Sequence, residues 1–200
     1  MKQTFYSNGK LLITGEYLVL DGAKAFALPT QYGQNLMVEE TNDGNLQWIS
    51  FDHDKSIWFE DTLSFESVVN KERFEDDKSV KNTLIEILHE AYLMNVDFIN
   101  NAKGYKITTE LTFPKSWGLG TSSTLINNIA QWLQIDAFDL LRRSFGGSGY
   151  DIACAQNNTG IIYQLVNEKP TVEIVHFNPD FTDKIFFVYL NQKQNSKSAI

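Results

Sequence analysis

The chain has 200 residues, 42% of them apolar, enough for one domain, or one and a part, with a substantial core. Its 25 acidic and 17 basic residues give a net charge of −8, which argues against a general nucleic-acid binder but leaves room for one local basic pocket. A single cysteine, Cys154, excludes an internal disulfide framework and a Cys-based zinc site, and His53, His89 and His176 form no metal-ligand spacing.

The first residues, Met1-Lys2-Gln3-Thr4-Phe5-Tyr6, carry no apolar secretory core, and no run approaches the roughly 18 apolar residues of a membrane span. A cytoplasmic protein without membrane contact is the expectation. Residues 5–14 read as a strand, followed by Gly15-Glu16 and a second strand at 17–20 closed by Asp21-Gly22, a strong turn signal. Residues 25–29 form a short apolar run. Residues 34–40 and 46–51 read as a hairpin around Asn42-Asp43-Gly44-Asn45, with 55–59 and 62–65 extending the sheet. Residues 70–78 read as a charged, solvated connection. Residues 80–94 form the clearest amphipathic helix, with Val80, Leu84, Ile87, Leu88, Ala91 and Tyr92 at helical spacing. A strand at 105–113, helices at 124–135, 136–143 and 150–156, and strands at 160–166, 171–177 and 184–190 complete the pattern. Early antiparallel strands with later helices predict an α+β domain with a mixed, mostly antiparallel sheet.

The chain is organised around Pro114-Lys115-Ser116-Trp117-Gly118-Leu119-Gly120-Thr121-Ser122-Ser123-Thr124, which links a strand to a helix. Glycines let backbone approach a ligand closely, and the free N–H groups at a helix start favour an anion. Ser and Thr hydroxyls can also ligate the Mg²⁺ that accompanies ATP. An ordinary N-cap after a tight turn is the competing local explanation.

Pro114-x-Ser116-x-Gly118-Leu119-Gly120-Thr121-Ser122-Ser123-Thr124 resembles the phosphate-binding motif of the GHMP kinases, which include galactokinase, homoserine kinase, mevalonate kinase and phosphomevalonate kinase. Phe113 stands where a smaller aliphatic is usual, and Thr121 where the first Ser is usual; Thr retains the hydroxyl. Two further segments share the resemblance. Gly9-Lys10 through Gly15-Glu16-Tyr17 is similar to the N-terminal motif of the mevalonate-type members. Gly146-Gly147-Ser148-Gly149-Tyr150-Asp151-Ile152-Ala153 is similar to the acidic motif, in a form found in one bacterial branch. Taken singly, Lys10 reads as a snorkelling strand lysine, Glu16 as a turn residue and Asp151 as a helix cap. The order and spacing of all three segments favour the family reading.

The resemblance implies the GHMP N-terminal domain, with the ribosomal protein S5 domain 2-like fold, and an ATP- and Mg²⁺-dependent small-molecule kinase. Asp151 is then the catalytic base, and Lys10 keeps it ionised and stabilises charge on the attacking oxygen. Pro114, Gly118, Leu119, Gly120, Thr121, Ser122 and Ser123 would bind nucleotide. Ser122 is the Mg²⁺-ligand candidate, with Thr121 and Ser123 as rivals. Glu16, Tyr17 and Gly149 would contact substrate, an alcohol or phosphate such as mevalonate or phosphomevalonate, which would place the chain in isoprenoid biosynthesis. Asp139 is the nearest acid to an expected second metal ligand, without a clean spacing match. The family reading divides the chain into an ATP-binding and catalytic domain at 1–183 and the start of a second domain at 184–200, so the chain is expected to be a fragment or one part of a longer protein. A homodimer is left open. Two alternatives share the motifs: the family's ATP-dependent decarboxylase, which needs a carboxylate clamp such as Arg142 or Arg143, and a non-catalytic nucleotide sensor.

Overall fold

A computed structural model describes residues 2–74 and 79–189. Alternation of apolar and polar residues builds its sheet. In Asn45–Phe51, for instance, Leu46, Trp48 and Ser50 are buried while their neighbours keep some exposure, so one face meets the core. The strands are β1 (Lys2–Thr14), β2 (Ala25–Glu40), β3 (Asn45–Phe51), β4 (Ile57–Ser64), β5 (Tyr105–Leu111), β6 (Gly160–Val166) and β7 (Lys169–Val175). The helices are α1 (Phe65–Val69), α2 (Val80–Met94), α3 (Asp97–Asn100), α4 (Thr121–Leu133), α5 (Ala137–Ser144) and α6 (Tyr150–Gln156).

The strands form one sheet in the order β4-β3-β5-β2-β6-β7, with β1 also paired to β2. β3 and β5 run parallel; the other described pairings are antiparallel. Strand β2 is the spine. β1 follows nearly all of it, β5 takes Gln34–Glu40, and β6 takes Ala25–Ala27. Sheet residues Leu36, Val38, Trp48 and Ile107 share one core with Leu84, Leu88, Ile126, Ile129 and Leu140 of α2, α4 and α5. This is the expected α+β architecture. No helix among the described residues is long and apolar enough to cross a membrane.

Four expectations about the elements are corrected. Residues 17–20 are not a strand. Tyr17 takes a left-handed φ of 67°, and Leu18–Asp21 form a 3-10 helix in which Val19 alone is buried. Residues 25–29 and 34–40 are one strand, β2, rather than two segments. The hairpin of 34–40 with 46–51 does not form either. β5 lies between β2 and β3, because the crossover through α1, α2 and α3 returns the chain to that slot. Residues 55–59 and 62–65 merge into β4 and the start of α1.

The strand expected at 184–190 is also absent among the described residues. Thr182–Lys184 is a 3-10 helix, and 185–189 run without strand pairing. There Phe187 and Tyr189 turn their rings onto Trp117, while Phe186 and Val188 are exposed. Leu190, the polar segment 191–200 and residues 75–78 of the expected loop lie outside the described residues. The helix expected at 80–94 matches α2 at both ends.

Candidate active site

Three elements bring the singled-out residues together. β1 carries Lys10, the turn before α4 carries the Gly-rich segment, and α6 opens with Tyr150-Asp151. β1 bulges between Asn8 and Lys10, which releases the Lys10 N–H from the ladder, and it donates to the Leu119 carbonyl at 2.9 Å. Gly9 permits that approach. A Cβ there would sit 2.9 Å from the Leu119 carbonyl oxygen and 3.0 Å from that of Tyr32.

The Gly-rich turn begins with a 3-10 helix at Lys115–Trp117. The Lys115 N–H donates to the Asp52 carboxylate at 3.2 Å, and the Lys115 ammonium lies 4.1 Å from the centre of the Trp58 ring. Neither Asp52 nor Trp58 was expected at the site, and no sequence pattern marks them. Trp117 stands edge-on to Tyr32 and stacks on Tyr189. Pro114 precedes this short helix, and Leu119 is buried with Phe113 and Leu111.

Gly120 has φ 92° and stands at the N-cap of α4, so no side chain caps that helix. Helices α1, α2 and α5 are each capped, by Ser64, Ser79 and Asp136. An uncapped N-terminus beside a turn with open space at Gly118 is suited to an anion. The three hydroxyls after Gly120 differ. Thr121 and Ser122 keep some exposure. Ser123 is buried, and its Oγ donates to the Gly120 carbonyl at 2.9 Å. Buried Thr124 donates to Gln34 Oε1 at 2.8 Å. Thr121 and Ser122 are therefore the hydroxyls that face outward.

Lys10 lies against this turn, its Cγ 3.2 Å from where a Cβ on Gly120 would be. Its ammonium is 5.4 Å from the centre of the Tyr150 ring. Burial alone would lower its pKa, but Tyr150, Asp151 and Glu16 outweigh that and hold it above the usual lysine value. Asp151 retains some accessible surface, yet desolvation dominates and pushes its carboxyl up. Lys10, the N–H groups of Asp151 and Ile152, and Ser123 oppose that shift. Lys10 and Asp151 thus feel each other's charge, while no direct ion pair joins them. Cys154, one turn along α6, is pushed up to about 12 by burial and stays a neutral thiol.

The remaining expected residues separate. Glu16 is exposed but near enough to influence Lys10 and Tyr150, and Tyr17 is exposed beside it. Gly149 is buried, with Phe138 and Tyr163 where its side chain would be, so it shapes the start of α6. Asp139 pairs with Arg142 on α5, which accounts for both without a metal or a carboxylate clamp.

Sequence reasoning missed a buried polar network behind the site. Asn127 Nδ2 donates to Ser7 Oγ at 2.8 Å, and Ser7 Oγ donates to Asn128 Oδ1 at 2.7 Å. Asn128 Nδ2 donates to the Gln34 carbonyl at 2.8 Å, and Gln156 Nε2 to Asn127 Oδ1 at 3.0 Å. It ties β1, β2, α4 and α6 together. The available signal was the pair Asn127-Asn128 set between the apolar pairs Leu125-Ile126 and Ile129-Ala130.

No family model matches the chain, and no curated protein matches it. Solved structures do. Mevalonate kinase from Methanococcus jannaschii superposes with a TM-score of 0.61 at 14% identity, over 92% of this chain and 58% of that one. D-glycero-D-manno-heptose 1-phosphate kinase from Bacteriodes thetaiotaomicron gives 0.65 at 18%, over 89% and 61%. Lactococcus lactis galactokinase, solved with galactose, gives 0.59 at 13%, over 88% and 47%. The chain has the fold shared by these kinases. It spans about three fifths of the length of the first two. Identities this low establish the fold and leave the chemistry to be argued from the site.

Proposed function

We propose that this chain is the ATP-binding and catalytic part of a GHMP-type small-molecule kinase, which moves the γ-phosphate of ATP to an alcohol or phosphate acceptor. Mevalonate or phosphomevalonate is the acceptor to test first. The reading rests on one observation: Lys10, the uncapped N-terminus of α4 and Asp151 converge, although they lie far apart in sequence. Residues 1–183 would form the catalytic domain and 184–200 the start of a second one.

Phosphoryl transfer needs positioning and charge more than covalent chemistry. The N–H groups at the start of α4, with Gly118, Leu119 and Gly120, would cradle the phosphates. Thr121 and Ser122 face outward there, and Ser122 is the hydroxyl we assign to Mg²⁺. The described residues hold no cluster of three acidic, His or Cys side chains, so the cation would be held mainly by the triphosphate. Bound there, it would neutralise phosphate charge. Asp151 would accept the proton of the acceptor hydroxyl. Lys10, unpaired with that carboxylate, remains available to steady negative charge on the attacking oxygen. Glu16 and Tyr17 lie on the same side and would meet the acceptor.

The test is a coupled ADP-release assay on the purified protein, with MgATP and a panel containing mevalonate, phosphomevalonate and other small alcohols. Acceptor-dependent ADP release that Lys10→Met abolishes supports the proposal. Nucleotide binding without acceptor-dependent turnover would instead make the chain a sensor.

A further inference from the structure

Asp151 reaches the site on a short helix that follows a permissive stretch of chain. Gly146, Gly147 and Gly149 take left-handed φ values of 72°, 100° and 90°. Glycine backbone moves freely among such conformations, so this stretch alone does not fix where α6 begins. Among the described residues, no side chain caps α6 either. The stretch is tied at its near end, where the Gly146 N–H donates to the Leu141 carbonyl of α5 at 2.8 Å. Its far end is held from the sheet: the Tyr163 hydroxyl donates to the Ser148 carbonyl.

Tyr163 is a rigid support for that bond. It is fully buried on β6, paired with Ala25 of β2 on one side and Val172 of β7 on the other. It shares a core cluster with Ala153 and Cys154 of α6. Burial pushes its phenol up, so the hydroxyl keeps its proton and remains a donor. A Cβ on Gly149 would sit 3.1 Å from that hydroxyl and 3.0 Å from the Phe138 ring. Gly149 in turn opens the helix, its carbonyl accepting from the Ala153 N–H at 3.1 Å. Phenylalanine would pack against Ala153 and Cys154 equally well. What the hydroxyl adds is a grip on the backbone one residue before the helix start.

We propose that Tyr163 is a positioning residue for Asp151: its hydroxyl pins the Ser148 carbonyl and so sets where α6 begins and where the carboxylate stands. The inference deepens the kinase reading and rests on it for its catalytic consequence; the anchoring itself does not. A carboxylate acting as base must lie within hydrogen-bond reach of the acceptor hydroxyl, and a displacement of about 1 Å can cost about 100-fold in rate. The Gly-rich turn before α4 is tied separately, by the Lys10 N–H on the Leu119 carbonyl, so nucleotide binding should not depend on Tyr163.

The test is Tyr163→Phe, which keeps the ring in the core and removes the hydroxyl. Hydrogen exchange at the Ala153 amide should quicken about 2-fold to 10-fold, the worth of one hydrogen bond. The Thr124 amide, bound to the Gly120 carbonyl at the start of α4, should keep its parent rate. With MgATP and mevalonate or phosphomevalonate, kcat should fall about 10-fold to 100-fold with KM for ATP unchanged. In an Asp151→Asn background the same substitution should cost nothing further, whereas a purely structural tyrosine would lower both backgrounds by the same factor. Ala153 exchange at the parent rate, or faster exchange at both amides alike, overturns the inference. So does an unchanged kcat in an active protein, or a loss that persists in full beside Asp151→Asn. If the parent protein transfers no phosphate, the kinase reading alone fails, and the exchange comparison still decides whether Tyr163 anchors α6.

Discussion

The Lys10 N–H donates to the Leu119 carbonyl across 2.9 Å, joining the bulge of β1 to the Gly-rich turn through backbone alone. The Lys10 side chain then lies against Gly120 because the two backbones are already neighbours. The site is thus built from the main chain outward, and its most sensitive positions include residues that carry no chemistry.

Gly9 is the first of these. A methyl group there would meet the Thr30 hydroxyl at 2.8 Å and the Leu119 carbonyl oxygen at 2.9 Å. The second atom is backbone and cannot swing aside. Gly9→Ala should therefore push the Gly-rich turn away from β1, at about 1–3 kcal/mol of overpacking. The expected result is weaker ATP binding by calorimetry together with a lower urea midpoint. Unchanged ATP affinity would show that the turn can bind phosphate without its tether to β1.

The two neighbouring serines should behave differently. Ser122 keeps some exposure, while Ser123 is buried and donates to the Gly120 carbonyl. Ser122→Ala should raise the Mg²⁺ concentration needed for half-maximal turnover and leave thermal stability within about 0.5 kcal/mol, as for a surface change. Ser123→Ala should lower stability by about 0.5–1.5 kcal/mol, the worth of one hydrogen bond. Titrating activity with Mg²⁺ and melting both variants checks the pair. A Mg²⁺ effect confined to Ser123→Ala would transfer the ligand role to the buried hydroxyl.

Local chemistry made the three motif segments legible. Glycine is demanded by the backbone itself at Gly9 and Gly120, and helix α2 was legible because one apolar face repeats without interruption. Partner choice was not legible. Residues 34–40 and 46–51 have the alternation of a hairpin, but β5, which arrives some sixty residues later, pairs with both. Residues 17–20 are apolar enough for a strand, yet the backbone turns at Gly15 and Tyr17, leaving Leu18 and Leu20 exposed. Within the site, the hydroxyls were equivalent in sequence. The helix twist buries Ser123 and leaves Ser122 partly exposed, and the buried network around Ser7 has no local signature beyond the pair Asn127-Asn128.

That network yields a stability prediction. Ser7 is fully buried and accepts from Asn127 while donating to Asn128. Ser7→Ala removes these two bonds and the one that Ser7 Oγ accepts from Gln131 Nε2, and leaves two asparagine side chains short of partners, at about 1–3 kcal/mol for an unsatisfied buried group. Urea unfolding should show a lower midpoint at constant m. Because the same network joins α4 to α6 through Gln156, Gln156→Leu should reproduce a smaller part of the loss. No loss in Ser7→Ala would mean that water satisfies the asparagines.

Asp151 separates base from helix cap through the sign of a pH effect. Desolvation raises its carboxyl above the ordinary 3.8 despite the pull of Lys10, so the native protein binds its proton more tightly than the unfolded chain does. Between the ordinary value and the raised one, native protein holds more protons, and stability must fall as pH rises through that window. A capping aspartate has a lowered pKa and gains stability over a window of rising pH instead. Asp151→Asn removes the titration. It should cut turnover about 100-fold to 10,000-fold, the range for loss of a general base, with ATP binding retained. It should also make the protein more stable than its parent at neutral pH, with the difference vanishing on acidification. Urea unfolding of both proteins from about pH 4 to pH 8 reads this directly. A parent protein more stable than Asp151→Asn at neutral pH would mean that the fold satisfies the carboxylate better than water does, and Asp151 would then be a cap rather than a base held ready in a desolvated site.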